Sequence, residues 1–143
     1  MAKRTADATW NGTLTGGEGT MEFGGGAFRG AYSAKSRFEE GEGTNPEELI
    51  AAAHAGCFSM ALSLGLEQAG HPSESVSTTA DVHLTPADGG FAISRIDLHT
   101  RATVPGIDPD EFQRVAEETK STCPVSKALA AVPQITLDAQ LES

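Results

Sequence analysis

Two cysteines carry the clearest chemical signal in this sequence. Cys57 follows a run of small apolar residues, and Cys123 stands directly before a proline. Two thiols are too few for the disulfide framework of a small secreted protein and too few for an ordinary four-ligand zinc site. They therefore indicate either redox chemistry or two unreactive core residues, and both interpretations are open at this point.

A pair of thiols that meet in the fold could reduce a peroxide. One thiolate attacks the O–O bond and becomes a sulfenic acid, and the other condenses with it to a disulfide that an external thiol reopens. Such a site needs a cation that holds the thiolate and a carboxylate that orients the cation. Arg37 and Glu47 are the candidates, because a guanidinium fork and a carboxylate bind bidentately.

The local sequence around each thiol adds two expectations. Pro124 suits the first position of a helix, so Cys123 is expected at the N-cap, where free N–H groups favour a thiolate. His54 precedes Cys57 by three residues on one helix face, and it could act as a base, satisfy a local hydrogen bond, or share a metal with the thiols. A metal is disfavoured because Arg37 would repel the cation, and neither a metal nor a cofactor is predicted.

Length and charge limit the class of protein. The chain has 143 residues, which fits one domain over 1–143 with a real core. Its formal net charge of -10 argues against nucleic acids and anionic membrane surfaces. We expect neither a signal peptide nor an apolar run of the roughly 20 residues that a membrane span needs. A cytoplasmic location with reduced thiols is expected.

The helix that carries Cys57 is the clearest element. It is predicted from Pro46 to Ala69, with Asn45 as N-cap and Gly70 as the stop signal. It is apolar nearly all round, so it should be buried on most sides. One chain of this length can hardly cover such a helix, and a partner chain is the natural cover.

Alternating apolar residues predict strands on both sides of this helix. They fall within 7–32, 76–84, 91–104 and 135–141, and a phase slip near Ser94 suggests a bulge. Two further helices are expected after Asp108 and Cys123. The order β-β-β, α, β-β, α-α, β indicates an α+β protein with antiparallel sheets covering a long, buried central helix.

Three ordered motifs make the sequence similar to the OsmC/Ohr family of osmotically inducible and organic hydroperoxide resistance proteins. They are GTNPEEL at 43–49, AAHAGCFSMA at 52–61 and CPVS at 123–126. The stretches TTADV at 78–82 and VPGID at 104–108 resemble the OsmC branch. The arginine typical of the Ohr branch has no counterpart at 10–25, which contains no Arg.

The resemblance implies an OsmC-like fold, an intertwined homodimer, and a peroxidase of the osmotic and oxidative stress response that acts on organic hydroperoxides. It makes Cys57 the peroxidatic and Cys123 the resolving cysteine, with Arg37 activating the thiolate and Glu47 orienting Arg37. A dithiol reductant follows, and the family favours a lipoylated protein or dihydrolipoamide over thioredoxin or glutathione. The alternative is a non-catalytic thiol-redox or small-molecule-binding protein on the same scaffold.

Overall fold

A computed structural model describes residues 2–142 of the chain. The chain forms two compact units, the first ending at Leu49 and the second beginning at Ile50. The α+β class predicted from the sequence is confirmed, because each unit contains a three-stranded sheet together with helical residues. The expectation of a single domain over 1–143 stays a prediction.

The first unit is an antiparallel sheet of three strands followed by a short helix. Its strands are β1 (Ala6–Asn11), β2 (Glu18–Phe23) and β3 (Phe28–Tyr32), paired in that order. The glycines of Gly24–Gly26 have φ values of 66°, 65° and 93°, so this turn between β2 and β3 needs the conformational freedom of glycine. The helix α1 (Ala34–Phe38) was not predicted.

The long helix α2 (Pro46–Gln68) begins in the first unit and continues through the second. It ends as expected, since Gly70 has a φ of 91° and the N–H of His71 bonds back to the carbonyl of Leu66. The remaining elements are β4 (Ser75–Ala87), β5 (Gly90–Thr103), α3 (Pro109–Thr122), α4 (Pro124–Ala128) and β6 (Gln134–Glu142).

The second sheet has the order β4-β5-β6, and β4 and β5 form a long antiparallel hairpin. His83 pairs with Arg95 and Leu84 pairs with Ile93, which leaves Ser94 as an extra residue in β5. The bulge predicted from the phase slip is therefore confirmed.

The expectation of purely antiparallel sheets is wrong for the second sheet. β6 pairs with β5 in parallel, with Ile96 opposite Ile135 and Leu98 opposite Leu137. The connection between the two strands contains α3 and α4, and a long helical crossover of this kind returns the chain to the end of the sheet from which it left. Alternation in each strand shows a buried face but carries no information about strand direction.

The core of the second unit lies between α2, α3 and the inner face of this sheet. α2 buries one face there, with Phe58, Leu62 and Leu66 fully buried. The largest of the other buried core residues are Ile96, Leu98, Val104, Ile107, Phe112 and Val115.

The single chain leaves one side of α2 uncovered, as expected for an apolar helix that one chain of this length can hardly cover, and its burial by a partner chain stays a prediction. Met60 is 77% exposed and Leu64 is 53% exposed, and Ala53 and Gly56 are exposed on the same side. Positions 53, 56, 60 and 64 recur at helical spacing, so they form one face, which we call the outer face of α2. This face is apolar although the chain leaves it uncovered.

The hydropathy of α2 also corrects an expectation. By length and composition it could cross a membrane, with a mean hydropathy of 1.7 in a window of which 22% is buried. Polar residues such as His54 and Ser59 interrupt the apolar run of α2, but its average hydropathy stays high. The core helix of a globular protein passes the same test, so membrane contact is not inferred from it, and its absence stays a prediction.

Candidate active site

The four residues predicted for the site form two contacting pairs in the structure. Cys57 lies beside Cys123 in the second unit, and Arg37 lies beside Glu47 in the first. Each pair is complete within its own unit.

The two thiols are in direct contact. Their Sγ atoms are 3.0 Å apart although the residues are 66 positions apart in the sequence, and both are free cysteines. Cys57 is half-buried, whereas Cys123 is fully buried. The condition for two-thiol chemistry, that the sulfurs meet, is therefore fulfilled, and only Cys57 is open to solvent in this chain.

A corner between two helices holds Cys123 in place. The residue ends α3 by donating its N–H to Thr119, and it begins α4 by accepting at its carbonyl from Lys127. Its φ of -53° and ψ of 127° break the helix at this residue, and Pro124 starts the next one. The predicted N-cap position is thus the one that the structure has.

The surroundings of the thiols affect their acidities in opposite directions. Burial raises the pKa of Cys57, and its hydrogen bond to Cys123 raises it further, against a backbone N–H of Val125. Burial opposes charge on Cys123 as well, but hydrogen bonds from Cys57, Ser126 and Val125 outweigh it and lower the pKa of Cys123. Within a single chain, Cys123 is therefore the thiol that ionises more easily, as the N-cap position of Cys123 suggested.

A buried polar contact lies next to the thiols. His54 and Ser126 are both buried, with Nε2 of the ring 2.7 Å from the serine Oγ. Burial lowers the pKa of His54, so the ring is neutral. Three roles were left open for His54, and in the structure its side chain forms a hydrogen bond, here to Ser126.

Ser126 is a site residue that sequence reasoning missed. It appeared only as the last letter of the motif at 123–126, with no function attached. Its N3 position in α4, three residues after the N-cap Cys123, is the signal that could have identified it, because N-cap and N3 side chains face each other.

The charged pair of the first unit has the bidentate geometry that favours strong binding. Nε of Arg37 donates to Oε1 of Glu47 at 3.0 Å, and Nη2 donates to Oε2 at 2.9 Å. Glu47 is buried, whereas the guanidinium is about one third exposed. Hydrogen bonding to Glu47 raises the pKa of Arg37, against a smaller opposing effect of burial, so Arg37 is a permanent cation.

The short helix α1 fixes Arg37. Ser33 and Ser36 cap its start with reciprocal side-chain bonds. The Ser36 hydroxyl also donates to the carbonyl of Thr44, and the Asn45 amide donates to the carbonyl of Ser36. These bonds tie α1 to the start of α2, where Glu47 lies.

A pocket of about 410 Å³ opens beside Arg37 in the first unit. Its lining is mostly apolar, and the rings of Trp10 and Tyr32 touch within it, with centroids 5.3 Å apart. The lining residues are Trp10, Gly12, Leu14, Tyr32, Ser33, Ala34, Arg37 and Phe38. A cation at the rim of an aromatic pocket suits a ligand with a polar head and an apolar tail.

The metal alternative has no cluster to support it among residues 2–142. In that part of the chain no group of three or more His, Cys, Asp or Glu side chains is arranged to hold a metal ion. The histidine that the alternative required, His54, bonds to Ser126 through Nε2.

Comparison with known proteins gives a consistent family. A family model described as OsmC-like protein matches residues 39–138, a range that contains Glu47 and both cysteines but not Arg37. Peroxiredoxin OsmC of Escherichia coli strain K12 is 48% identical over 141 residues, which covers 98% of this chain and 97% of that protein. The organic hydroperoxide resistance protein of Xanthomonas axonopodis pv. citri strain 306 is 35% identical over 99 residues, with coverage of 68% and 67%.

Solved structures show the same fold. The crystal structure of an OsmC-like protein from Mycoplasma pneumoniae matches this chain with a TM-score of 0.75 at 18% sequence identity, covering 99% of each chain. At that identity the likeness concerns the architecture alone.

Proposed function

This chain belongs to the OsmC-like protein family, and from that membership we propose that it is a thiol peroxidase that reduces organic hydroperoxides. The observation that carries the proposal is the contact between the two free thiols, 3.0 Å apart. The names of the relatives, peroxiredoxin and organic hydroperoxide resistance protein, support a peroxide-detoxifying redox role.

The proposed cycle has two steps at the thiols and one with a reductant. The Cys57 thiolate attacks the O–O bond, takes the outer oxygen as a sulfenic acid, and releases the alkoxide, which picks up a proton to leave as an alcohol. Cys123 then attacks the sulfenic sulfur, and a disulfide forms as water leaves. An external dithiol reopens that disulfide by two exchanges and is itself oxidised.

Access supports Cys57 as the thiol that is oxidised first. Cys57 is half-buried, whereas Cys123 has no exposed surface. A peroxide must reach the sulfur that attacks it. Cys123 is the more acidic thiol, but it is buried, so the substrate meets Cys57 first. Cys123 suits the second step, because it is already in contact with the sulfur that it must attack.

Burial raises the pKa of Cys57, so a cation near its sulfur is needed to favour the thiolate. We assign that cation to Arg37, held by Glu47, since a guanidinium stabilises a thiolate and polarises the peroxide. The Arg37 and Glu47 that serve a given Cys57 belong to the partner subunit in this proposal.

A second copy of the chain is the proposed cover of the outer face of α2. Met60 and Leu64 are exposed on that face, and the residues around them are small and apolar. A two-fold axis allows the same face of both copies to pack against itself. The protein is therefore proposed to be an obligate homodimer, located in the cytoplasm, where its thiols rest reduced.

The substrate is proposed to be an organic peroxide rather than hydrogen peroxide. The pocket beside Arg37 presents Trp10, Leu14 and Phe38 to an alkyl or aryl tail. Burying apolar surface contributes about 25 cal/mol per Å², which hydrogen peroxide cannot gain. Cumene hydroperoxide should therefore have a kcat/KM at least about tenfold above that of hydrogen peroxide, and equal values would refute this preference.

Thiol titration tests the function directly. Adding one equivalent of cumene hydroperoxide should remove both thiols rapidly, and a dithiol should restore them. Slow loss of one thiol or of none would instead favour a non-catalytic redox or binding role. Steady-state assays with dihydrolipoamide or a lipoylated protein, against thioredoxin and glutathione, would identify the reductant, and we expect the lipoyl dithiols to be the better reductants.

A further inference from the structure

A second contact joins the two helices that carry the thiols. His54 lies on α2 three residues before Cys57, and Ser126 lies on α4 three residues after Cys123. Nε2 of His54 and Oγ of Ser126 are 2.7 Å apart, and both side chains are buried. The cycle described above uses neither of them.

The hydroxyl of Ser126 connects this contact to the thiol pair. Ser126 occupies position N3 of α4 and Cys123 its N-cap, and the side chains at these two positions face each other. The serine hydroxyl is thus placed to donate to the sulfur, and Ser126 acts with Cys57 to lower the pKa of Cys123. A hydroxyl has one proton to donate. When Ser126 donates that proton to the sulfur, the bond to His54 must be one that the serine oxygen accepts.

The unpaired nitrogen of the ring agrees with this proton arrangement. Nδ1 of His54 is buried and has no hydrogen-bond partner among residues 2–142. Buried donors without a partner are rarer in proteins than buried acceptors without one. The single proton of the neutral ring therefore belongs on Nε2, from which it is donated to Ser126.

We propose that Ser126 is a catalytic hydrogen-bond donor to the resolving thiolate of Cys123, and that His54 is the positioning residue that fixes its hydroxyl. This inference rests on the proposed function and concerns its second step. There the Cys123 thiolate attacks the sulfenic sulfur of Cys57, the S–S bond forms, the S–O bond breaks, and the departing hydroxide takes a proton from solvent to become water. The same donor stabilises Cys123 when it leaves as a thiolate during reduction.

Matched substitutions separate this role from packing. His54→Leu removes the ring donor but suits an apolar core, whereas His54→Gln keeps an N–H donor at similar reach but is the less favourable residue to bury. Ser126→Ala removes the hydroxyl, and Ser126→Thr keeps it. Rapid quenching with a sulfenic-acid reagent and mass spectrometry would follow Cys57 oxidation and disulfide formation separately.

We expect His54→Leu and Ser126→Ala to form the sulfenic acid at the normal rate. Disulfide formation should then slow by roughly tenfold to a hundredfold, which corresponds to the loss of one hydrogen bond to a charged group. His54→Gln and Ser126→Thr should recover most of that rate. Wild-type resolution in His54→Leu, or slower resolution in His54→Gln than in His54→Leu, would overturn the proposal.

A readout without peroxide keeps this inference distinct from the proposed function. In a Cys57→Ala chain, Cys123 is the one remaining thiol. Its ultraviolet thiolate absorbance at fixed neutral pH should fall when His54→Leu or Ser126→Ala is added, and should persist with His54→Gln or Ser126→Thr. Unchanged absorbance in all four would refute the donor role, even if the wild-type chain proves to be an active peroxidase.

Discussion

At the scale of single residues, acidity and access are divided between the two thiols. The pKa of Cys57 is raised and the pKa of Cys123 is lowered, yet only Cys57 has exposed surface. A one-thiol site would need both properties in a single residue. In the proposed cycle the exposed thiol depends on an added cation, whereas the start of α4 prepares the buried thiol as nucleophile and leaving group.

The division of roles predicts different outcomes for the two serine variants. Cys57→Ser should abolish peroxide consumption, because no sulfur is left at the exposed position. Cys123→Ser should permit one turnover and then proceed to the sulfinic acid under excess peroxide. Mass spectrometry of both variants after graded additions of cumene hydroperoxide measures this. Sustained activity in Cys57→Ser, with the first oxidation trapped on Cys123, would reverse the assignment.

Arg37 is the residue on which the proposed reactivity of Cys57 depends. Arg37→Ala should slow Cys57 oxidation by about a hundredfold, the usual cost of removing one electrostatic group from an active site. Arg37→Lys should recover part of that loss, because it keeps the charge but loses the planar fork.

The pH dependence of alkylation at Cys57 gives an independent measurement of the same role. With the cation removed, thiolate reactivity should appear only at higher pH, since the burial of Cys57 then acts without opposition from Arg37. The variant Arg29→Ala removes an exposed arginine of β3 as a matched control. An unchanged alkylation profile in Arg37→Ala would exclude this role for Arg37.

At the scale of elements, sequence reasoning succeeded where one local signal was sufficient. The α2 helix follows from its caps, and the bulge at Ser94 follows from a change of phase. It failed where the deciding partner is distant in sequence. The parallel pairing of β5 with β6 depends on the path of a crossover, and the bond between His54 and Ser126 depends on how α2 and α4 pack.

Helix α1 was missed for a different reason. Its five residues are too short for a periodic apolar pattern, and side-chain bonds between Ser33 and Ser36 stabilise its start. Even so, Arg37 and Glu47 were paired from the sequence, because their charges are complementary and because the resemblance to the OsmC/Ohr family makes Glu47 the carboxylate that orients Arg37.

Asp97 joins the three strands of the second sheet and gives that sheet a pH dependence. Its carboxylate accepts from Thr136 of β6, from Arg95 of β5 and from His83 of β4. The bonds from Thr136, and then Arg95, hold the pKa of Asp97 well below its usual range. A depressed pKa in the folded state stabilises the protein above the unfolded pKa of about 4, and that contribution is lost as the pH falls.

The variant Asp97→Asn should therefore lower the free energy of unfolding at neutral pH by about 1 kcal/mol, a modest value because the cluster is partly open to solvent. The difference from wild type should shrink as the pH falls below about 4. Urea unfolding at several pH values measures this difference in the free energy of unfolding. The control variant is Asp88→Asn, which removes the same charge from the turn between β4 and β5. A difference that stays constant with pH would contradict the ionic role of Asp97.

At the scale of the whole molecule, we expect the two pairs of site residues to combine between two chains. Glu47 and Cys57 are ten residues apart on α2, which corresponds to roughly 15 Å along an ideal helix axis and a rotation of about 80°. A carboxylate so far along one straight helix cannot easily reach that thiol. Two copies of α2 packed antiparallel could bring the partner's Glu47 close to Cys57, and the uncovered outer face of α2 leaves room for that packing.

The last prediction follows from this geometry: each site takes Cys57 and Cys123 from one chain, and Glu47 with Arg37 from the other. Chains carrying Cys57→Ser and chains carrying Glu47→Ala should each be inactive alone. Co-refolded at equal amounts, they should regain about a quarter of the wild-type activity, because half of a random dimer mixture is heterodimeric and each heterodimer has one intact site of two. Replacing Glu47→Ala by Arg37→Ala should give the same recovery. If mixed chains stay inactive while wild-type controls refold, or if the protein is an active monomer in solution, the site is not shared.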